Sequence, residues 1–233
     1  MAQIMADDMG QWAAYKDQNP EIIHPTLDKL IAEGTSFENS MCNTPVCSAS
    51  RASWLTSRFP SQHNVHDWIA KGNGCPPDAP GLNYTEGEVY TSDVLVKDGG
   101  YVAGFSGKIH LGNQVRPQHS FSPDHWYVHQ SGGGDYNDAP LVVDGQCVNV
   151  PGYVTYVFAN NTIDSLRSYS ARQRADVAAG RAATPFVHHL HFTAPHAPVS
   201  RPPAPWPRDP GERASPPPSA RRHDPPRPMA PRP

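Results

Sequence analysis

Two short segments near the start of the chain carry residue types that could bind a metal ion or act as a nucleophile. Asp7 and Asp8 directly follow an apolar stretch, residues 2–6, which resembles the end of a buried strand. Two adjacent ionised carboxylates repel each other, so a pair held at one point favours a hard divalent cation. Solvated Asp-Asp pairs are also common on protein surfaces, and this segment alone leaves both interpretations open.

The second segment places a cysteine four residues before an arginine. Cys47 stands at a predicted junction between a loop and a helix, and Arg51 follows one turn later. The positive end of a helix and a nearby guanidinium both favour a thiolate, which would be a nucleophile. A buried structural cysteine is the alternative interpretation of the same pattern.

A third segment, Gly107-Lys108-Ile109-His110, places two basic side chains two residues apart. On an extended backbone such side chains share one side, so Lys108 and His110 are expected to face the same site. A phosphate-binding loop is excluded, because the glycine spacing is wrong and Ile109 stands where serine or threonine is required.

A histidine-rich segment follows near residue 190. His189 and His191 could face one way on a strand, which would suggest a zinc site, although a strand with one buried face explains the same spacing. His196 differs from them, because Pro195 and Pro198 restrict its loop.

Alternating helices and strands must position these segments. The pattern predicts an α/β fold with a mainly parallel sheet, in which functional residues collect beyond the carboxyl ends of the strands. Glycines and prolines bound the predicted helices, which cover residues 25–31, 48–55, 91–97 and 162–179. The predicted strands cover residues 2–6, 35–41, 101–105 and 185–192. The glycine-rich loop 131–135 is predicted to be flexible and is assigned no function.

Composition excludes several classes of protein. The formal net charge is −3, which argues against nucleic-acid binding, since phosphate contacts require a basic face. No apolar run approaches the roughly 18 to 20 residues of a membrane-spanning helix, and no signal peptide is visible at the N-terminus. The four cysteines are too few for a disulfide scaffold, and without a CxxC pair they do not suggest a structural zinc knuckle.

Residues 201–233 differ from the rest of the chain. This tail contains 13 of the 27 prolines and no Ile, Leu, Val, Phe, Tyr or Lys. Such a composition cannot bury enough apolar surface to offset the loss of backbone entropy, so we expect disorder. The chain therefore divides into a folded unit, residues 1–200, and a disordered tail rich in proline and arginine.

Together, the segments resemble the type I, formylglycine-dependent sulfatases of the alkaline-phosphatase-like superfamily. Residues 43–58, with Cys47-Ser48-Ala49-Ser50-Arg51 at their centre, resemble the nucleophile signature of that family. The Asp-Asp segment resembles its first metal-binding strand end, Gly-Lys-Ile-His its Gly-Lys-x-His element, and Pro195-His196-Ala197-Pro198 its Pro-His-x-Pro element. The four motifs stand in the family's order, although Ser57 replaces the usual glycine.

The resemblance implies an alkaline-phosphatase-like three-layer α/β sandwich with a mainly parallel sheet. It also implies that a formylglycine-generating maturation enzyme oxidises Cys47 to formylglycine. The hydrated aldehyde would attack the sulfur of a sulfate ester, and its second oxygen would later expel sulfate. By the same resemblance, Asp7, Asp8 and residue 47 would bind a divalent cation, Ca²⁺ or alternatively Mg²⁺.

The remaining catalytic roles also come from the resemblance. Arg51 would orient the hydrate, and Lys108 would bind a sulfate oxygen. His110 is the candidate base for collapse of the hydrate, and His196 would bind sulfate or protonate the leaving oxygen.

The family's later elements are missing from this sequence. Its second metal-binding pair, Asp-Asn or Asp-His, and a further lysine do not appear after His196. The chain therefore resembles a C-terminally truncated, N-terminal part of a sulfatase whose activity is impaired or absent. The alternatives are a phosphonate or phosphodiester hydrolase of the same superfamily and a non-catalytic fragment. The identity of the sulfate ester stays open, and a periplasmic or secreted location is expected from the family alone.

Overall fold

A computed structural model describes residues 1–15, 18–76, 78–79, 81–112, 117, 119–143 and 145–200. The predicted tail, residues 201–233, lies outside these described residues. All structural statements below refer to the described part of the chain.

A six-stranded mixed sheet forms the centre of the molecule, with strand order β1-β6-β2-β3-β4-β5. β1, β6, β2 and β3 are parallel neighbours, whereas β4 and β5 add an antiparallel hairpin. The sheet is therefore mainly parallel, as the alternation of elements predicted. The strands are β1 (Ala2–Met5), β2 (Val102–Lys108), β3 (Phe121–His129), β4 (Pro140–Val143), β5 (Gln146–Asn149) and β6 (Phe186–His191).

Helices cover both faces of the sheet. Buried side chains of α2 pack with Phe105 of β2 and Trp126 of β3 in one core. Buried side chains of α5 pack with Leu190 of β6 in a second core. This arrangement confirms the predicted three-layer α/β sandwich. The helices are α1 (Pro25–Glu33), α2 (Cys47–Thr56), α3 (Pro60–His63), α4 (Thr91–Gly99) and α5 (Val154–Ala178), with a 3-10 turn at Gln11–Ala13.

Two glycines let β2 pass through the crowded centre. A Cβ on Gly104 would lie 2.2 Å from the Tyr169 hydroxyl of α5. Gly107 has a φ of +122°, and a Cβ there would lie 1.9 Å from the carbonyl oxygen of His191. Glycine is therefore required at both positions, and Gly107 permits the close approach of β2 and β6 next to Lys108.

The predicted helices 25–31, 48–55 and 91–97 are present, each with slightly different ends. Gly100 follows α4 in the left-handed conformation, and at the start of the helix the Asp93 carboxylate accepts a hydrogen bond from the Tyr90 backbone N–H at 3.0 Å. α5 begins at Val154, eight residues before the predicted start at residue 162. Its first turns are rich in β-branched and aromatic residues, and burial overrides their preference for strands.

One predicted strand is absent, one differs from the prediction in its burial, and three strands were not predicted. Residues 35–41 form no strand; Phe37 and Met41 are exposed, and a turn bonds Ser40 N–H to the Phe37 carbonyl. β1 is an edge strand with Ile4 67% exposed, and not the buried strand that its composition suggested. The prediction also missed β3, β4 and β5, which are short or lack a clear alternation of polar and apolar residues.

Two of the four cysteines form a disulfide that the spacing did not predict. Cys75 and Cys147 are joined with a Cα–Cα distance of 5.3 Å, which links the loop after Ile69 to β5. Cys42 and Cys47 are free thiols. Within the described residues, no helix has the length and apolar character needed to cross a membrane.

Candidate active site

The carboxyl ends of three parallel strands meet the start of α2 at one edge of the sheet. β1 leads into Asp7, β2 ends at Lys108 and β6 ends at His191. The first two turns of α2 bring Cys47 and Arg51 to the same edge. The strand-end location predicted from the sequence is therefore the location in the fold.

A buried ion-pair cluster occupies this edge. Asp7 Oδ1 lies 3.2 Å from Arg51 Nη2, and its other oxygen accepts a hydrogen bond from Lys108 Nζ. All three side chains are buried. Burial lowers the pKa of Arg51 and that of Lys108, and in both cases the Asp7 carboxylate opposes this effect.

Arg51 is also held by two further acceptors. Its Nη1 donates to the Lys108 carbonyl oxygen at 2.6 Å and to His191 Nδ1 at 3.2 Å. His191 is fully buried, and its pKa is lowered well below the usual value, first by desolvation and then by Arg51. A neutral His191 can therefore accept at Nδ1, and it orients the guanidinium.

His110 faces Cys47 in a defined protonation state. Its Nε2 lies 3.0 Å from the Ile69 carbonyl oxygen, which can only accept, so Nε2 carries the proton. Burial lowers the pKa of His110 to about 4. The neutral ring consequently offers Nδ1 as an acceptor to Cys47 Sγ at 3.1 Å and Ser48 Oγ at 3.2 Å. This geometry suits a general base acting at residue 47.

The predicted alternation along a strand explains only in part how Lys108 and His110 reach the same site. Lys108 is the last residue of β2, whereas His110 has a φ of +52° and leaves the extended conformation. Both side chains reach the site, but His110 does so through a left-handed backbone turn. Their convergence was predicted, and its cause was not.

The glycine-rich loop 131–135 belongs to the site, contrary to the sequence interpretation. The Gly132 carbonyl oxygen accepts a hydrogen bond from Lys108 Nζ. A Cβ on Gly132 would lie 2.5 Å from the His110 ring, so a side chain does not fit there. Because this contribution is made by backbone atoms and by a missing side chain, no residue-type motif indicated it.

His196 lies at the solvent side of the cluster. Its Nε2 is 3.7 Å from Asp8 Oδ2, and its Nδ1 donates to the Ala197 carbonyl oxygen. The Tyr136 hydroxyl donates to the His196 carbonyl at 2.7 Å and holds this loop in place. Asp8 is exposed, in contrast to buried Asp7, so the two adjacent carboxylates have different environments.

Several residues of the site were missed by sequence reasoning. His129 is the clearest case: it ends β3 beside Lys108, is buried, and has its pKa lowered to about 4 by desolvation. Sequence reasoning missed it because it is the last residue of a strand that was not predicted. His191 was considered only as part of a histidine-rich strand, and the contact of the Ile69 carbonyl has no sequence signature.

The donor atoms present suit a hard divalent cation in type, though not in number. Asp7 and Asp8 supply carboxylate oxygens, the donors that Ca²⁺ and Mg²⁺ prefer. The described residues contain no group of three or more His, Cys, Asp or Glu side chains able to hold a metal ion. His189 and His191 therefore form no such group with a third ligand among these residues. Calcium takes 6–8 oxygen ligands, so the remaining ligands of a complete shell would have to be additional to these two.

The sheet order and the helices on both of its faces define an α/β fold of the alkaline-phosphatase-like type. The chain belongs to the sulfatase family, whose model matches residues 3–216. It is 32% identical to bovine arylsulfatase A over 147 residues, which cover 63% of this chain and 26% of that protein. It is 27% identical to canine N-acetylgalactosamine-6-sulfatase, covering 85% of this chain and 40% of that protein.

Solved structures show the same similarity. One, of a protein in complex with its substrate D-glucosamine-2-N,6-O-disulfate, is 25% identical with a TM-score of 0.66, covering 87% of this chain and 36% of that chain. The PsFucS1 sulfatase from Pseudoalteromonas sp. shares the fold, with a TM-score of 0.59 at 20% identity, over 87% of this chain and 45% of that chain. The chain thus spans between about a quarter and under half of these relatives.

Proposed function

We propose that this chain carries the nucleophile side of the active site of a sulfuric ester hydrolase that uses formylglycine, formed from Cys47, and a divalent cation. One observation carries the proposal: a neutral His110 directs its acceptor nitrogen at Cys47 Sγ, 3.1 Å away, beside two buried cations. Membership of the sulfatase family supports the same reaction class.

The charges of the site favour this assignment. Asp7 and Asp8 balance Arg51 and Lys108, so the four side chains sum to zero. When present, a divalent cation on the two carboxylates supplies positive charge for the sulfate oxygens, and formylglycine supplies a hydrated aldehyde as nucleophile. Arg51 and Lys108 then bind and orient the anionic group, since both are desolvated and fixed by backbone carbonyls.

Two histidines divide the proton transfers. His110 accepts a proton at Nδ1 from the group on residue 47, while the Ile69 carbonyl keeps its Nε2 protonated. His196, at the solvent side, donates a proton to the leaving oxygen of the alcohol. Such general acid–base steps contribute about 10²- to 10⁴-fold in rate. The 233-residue chain by itself is proposed to be impaired, because its described residues offer the cation only two carboxylates.

The disulfide bears on location. Disulfides persist in oxidising compartments and are rare in the cytosol. The bond between Cys75 and Cys147 therefore supports the periplasmic or secreted location expected from the family.

Mass spectrometry combined with a rate comparison tests the proposal. The protein is produced with and without a formylglycine-generating enzyme, and the peptide containing Cys47 is weighed. We expect the mass to fall by the difference between cysteine and the aldehyde, and an aryl sulfate to be hydrolysed faster than a phosphonate ester when Ca²⁺ is present. An unmodified thiol after exposure to a demonstrably active maturation enzyme would contradict the modification, and faster phosphonate hydrolysis would contradict the substrate class.

A further inference from the structure

The loop between Val65 and Ile69 presents a large aromatic side chain in solvent. Val65 and Ile69 are buried in the core, whereas Trp68 is 56% exposed. The Asp67 carboxylate accepts the Trp68 backbone N–H at 2.7 Å, which fixes the backbone at this point. A single exposed apolar side chain is ordinary on a protein surface, so the position of Trp68 decides whether it has a role.

Trp68 lies directly beside the candidate catalytic residues. Its ring centroid is 5.8 Å from that of His110, in an edge-to-face arrangement. Gly132 lies under both rings: a Cβ there would be 2.8 Å from the indole Nε1 and 2.5 Å from the imidazole. The Gly132 carbonyl is bonded to Lys108 Nζ, so one residue separates the indole from the ammonium that would bind sulfate.

Gly132 and Gly133, here called the glycine floor, connect Trp68 to the other side of the site. A Cβ on Gly133 would lie 3.1 Å from His196 Cε1, so His196 borders the second residue of this floor as Trp68 borders the first. Any side chain at Gly132 would collide with both the indole and the imidazole, so glycine is needed for the two rings to lie this close to the loop backbone. The alcohol part of a bound ester has to pass here if its sulfate lies at Lys108 and its leaving oxygen at His196.

We propose that Trp68 and the glycine floor bind the alcohol part of the ester and favour alcohols that contain a six-membered ring. The inference rests on the proposed function and adds a substrate class to it. The flat face of an indole packs against the face of a sugar or aryl ring over a larger area than against a short alkyl chain. Trp68 is thus a specificity-determining residue.

Binding measurements test this inference without turnover. Protein made without the maturation enzyme is titrated, with Ca²⁺ present, with inorganic sulfate, n-propyl sulfate, phenyl sulfate and glucose 6-sulfate. We expect the two ring esters to bind roughly three- to ten-fold more tightly than propyl sulfate. Trp68→Ala should remove this preference and leave the affinity for inorganic sulfate unchanged.

Two further variants control for effects on folding. Trp68→Phe keeps an aromatic ring and should retain most of the preference. Trp54→Ala removes a similarly exposed tryptophan on α2, 49% exposed, and should bind like the unaltered protein.

The outcomes separate the two proposals. If inorganic sulfate binds but the ring preference is absent or survives in Trp68→Ala, the inference is wrong and the proposed function stands. Choline sulfate is titrated in the same way, since tryptophan attracts quaternary ammonium groups. Its tighter, Trp68-dependent binding than that of the ring esters would also overturn the assignment to rings. If inorganic sulfate itself does not bind, the proposed function fails, and the inference fails with it.

Discussion

The two faces of β6 contain buried histidines in opposite situations. On the face toward α5, His188 has partners at both ring nitrogens: Tyr169 Oη at 3.1 Å on Nδ1, and Ser106 Oγ at 3.0 Å on Nε2. On the face toward α2, neither nitrogen of His189 nor Nε2 of His191 has a hydrogen-bond partner within the described chain. All three rings are buried, so burial alone does not distinguish the two faces.

The difference separates a polar network whose hydrogen bonds are satisfied from one whose hydrogen bonds are not. An unpaired buried polar group costs about 1–3 kcal/mol, and a satisfied network does not carry that cost. The unsatisfied groups include Arg51 Nε and His129 Nδ1, beside the candidate nucleophile. We conclude that the α5 face is built for stability, whereas the α2 face keeps polar capacity at the expense of stability.

The largest expected difference between the two faces is in turnover, between a variant of the candidate nucleophile and a variant on the α5 face. Cys47→Ala should abolish the aryl sulfate turnover that the impaired, matured chain retains and leave only the rate of the buffer, because no other residue can supply the attacking group. Tyr169→Phe, on the α5 face, should leave turnover per folded molecule unchanged and lower the free energy of unfolding by about 1–2 kcal/mol. Initial rates and urea unfolding of both variants check this. Residual sulfatase activity in Cys47→Ala would remove Cys47 from the mechanism.

The ion-pair cluster gives the next largest effect, now on stability. Asp7→Asn leaves two buried cations without their carboxylate, which should cost about 3–5 kcal/mol of unfolding free energy. Asp8→Asn is the matched control, because the Asp8 side chain is 62% exposed and should change stability by less than about 1 kcal/mol. Urea midpoints in metal-free buffer measure both, and equal losses would show that the cluster is not the cause.

Adjacent histidines on opposite faces provide a more direct test. His188→Phe should lower the unfolding free energy by about 2–3 kcal/mol, because Tyr169, Ser106 and Thr162 lose a buried partner. His189→Phe should be close to neutral or stabilising, since its ring already packs among Phe105 and Phe121 with both nitrogens unpaired. Similar losses in both variants would contradict the comparison between the faces.

The smallest effect is a change in acid sensitivity. Burial lowers the pKa of His189 to about 4, below the usual 6.5. Between these values the unfolded chain binds more protons than the folded one, so stability falls as the pH drops from about 6.5 to about 4. His189→Phe should reduce the slope of unfolding free energy against pH by up to about 1.4 kcal/mol per unit. An unchanged slope would show that His189 does not titrate as buried.

The sequence predicted the location of the site better than its internal contacts. Asp7, Cys47 and Lys108 were placed at strand or helix ends by the apolar stretches and glycines beside them, and the fold brings these ends together. The roles of Asp7 and Asp8 as metal ligands and of His196 as an acid stay predictions.

What sequence reasoning missed has two physical causes. Backbone groups do much of the positioning: the carbonyls of Ile69 and Gly132 fix His110 and Lys108, and any residue type carries a carbonyl. The side on which a strand residue lies also depends on register, which local pattern does not give. The opposite roles of His188 and His191 follow from which helix each side chain faces. The sequence alone does not distinguish them, because both are histidines of the same buried strand.

The edge position of β1 has a consequence for the order of events during synthesis. The N-terminal amine of Met1 bonds to the Phe186 carbonyl, 185 residues away in sequence, and Ala2 to Met5 pair with His188 to His191. Contacts of such long range form late, because the whole intervening chain must first be available. Asp7 therefore cannot reach Arg51 until β6 has left the ribosome, although Cys47 emerged much earlier. Under the proposed maturation of Cys47, that interval is when a modifying enzyme would reach the thiol, before the first strand pairs with β6.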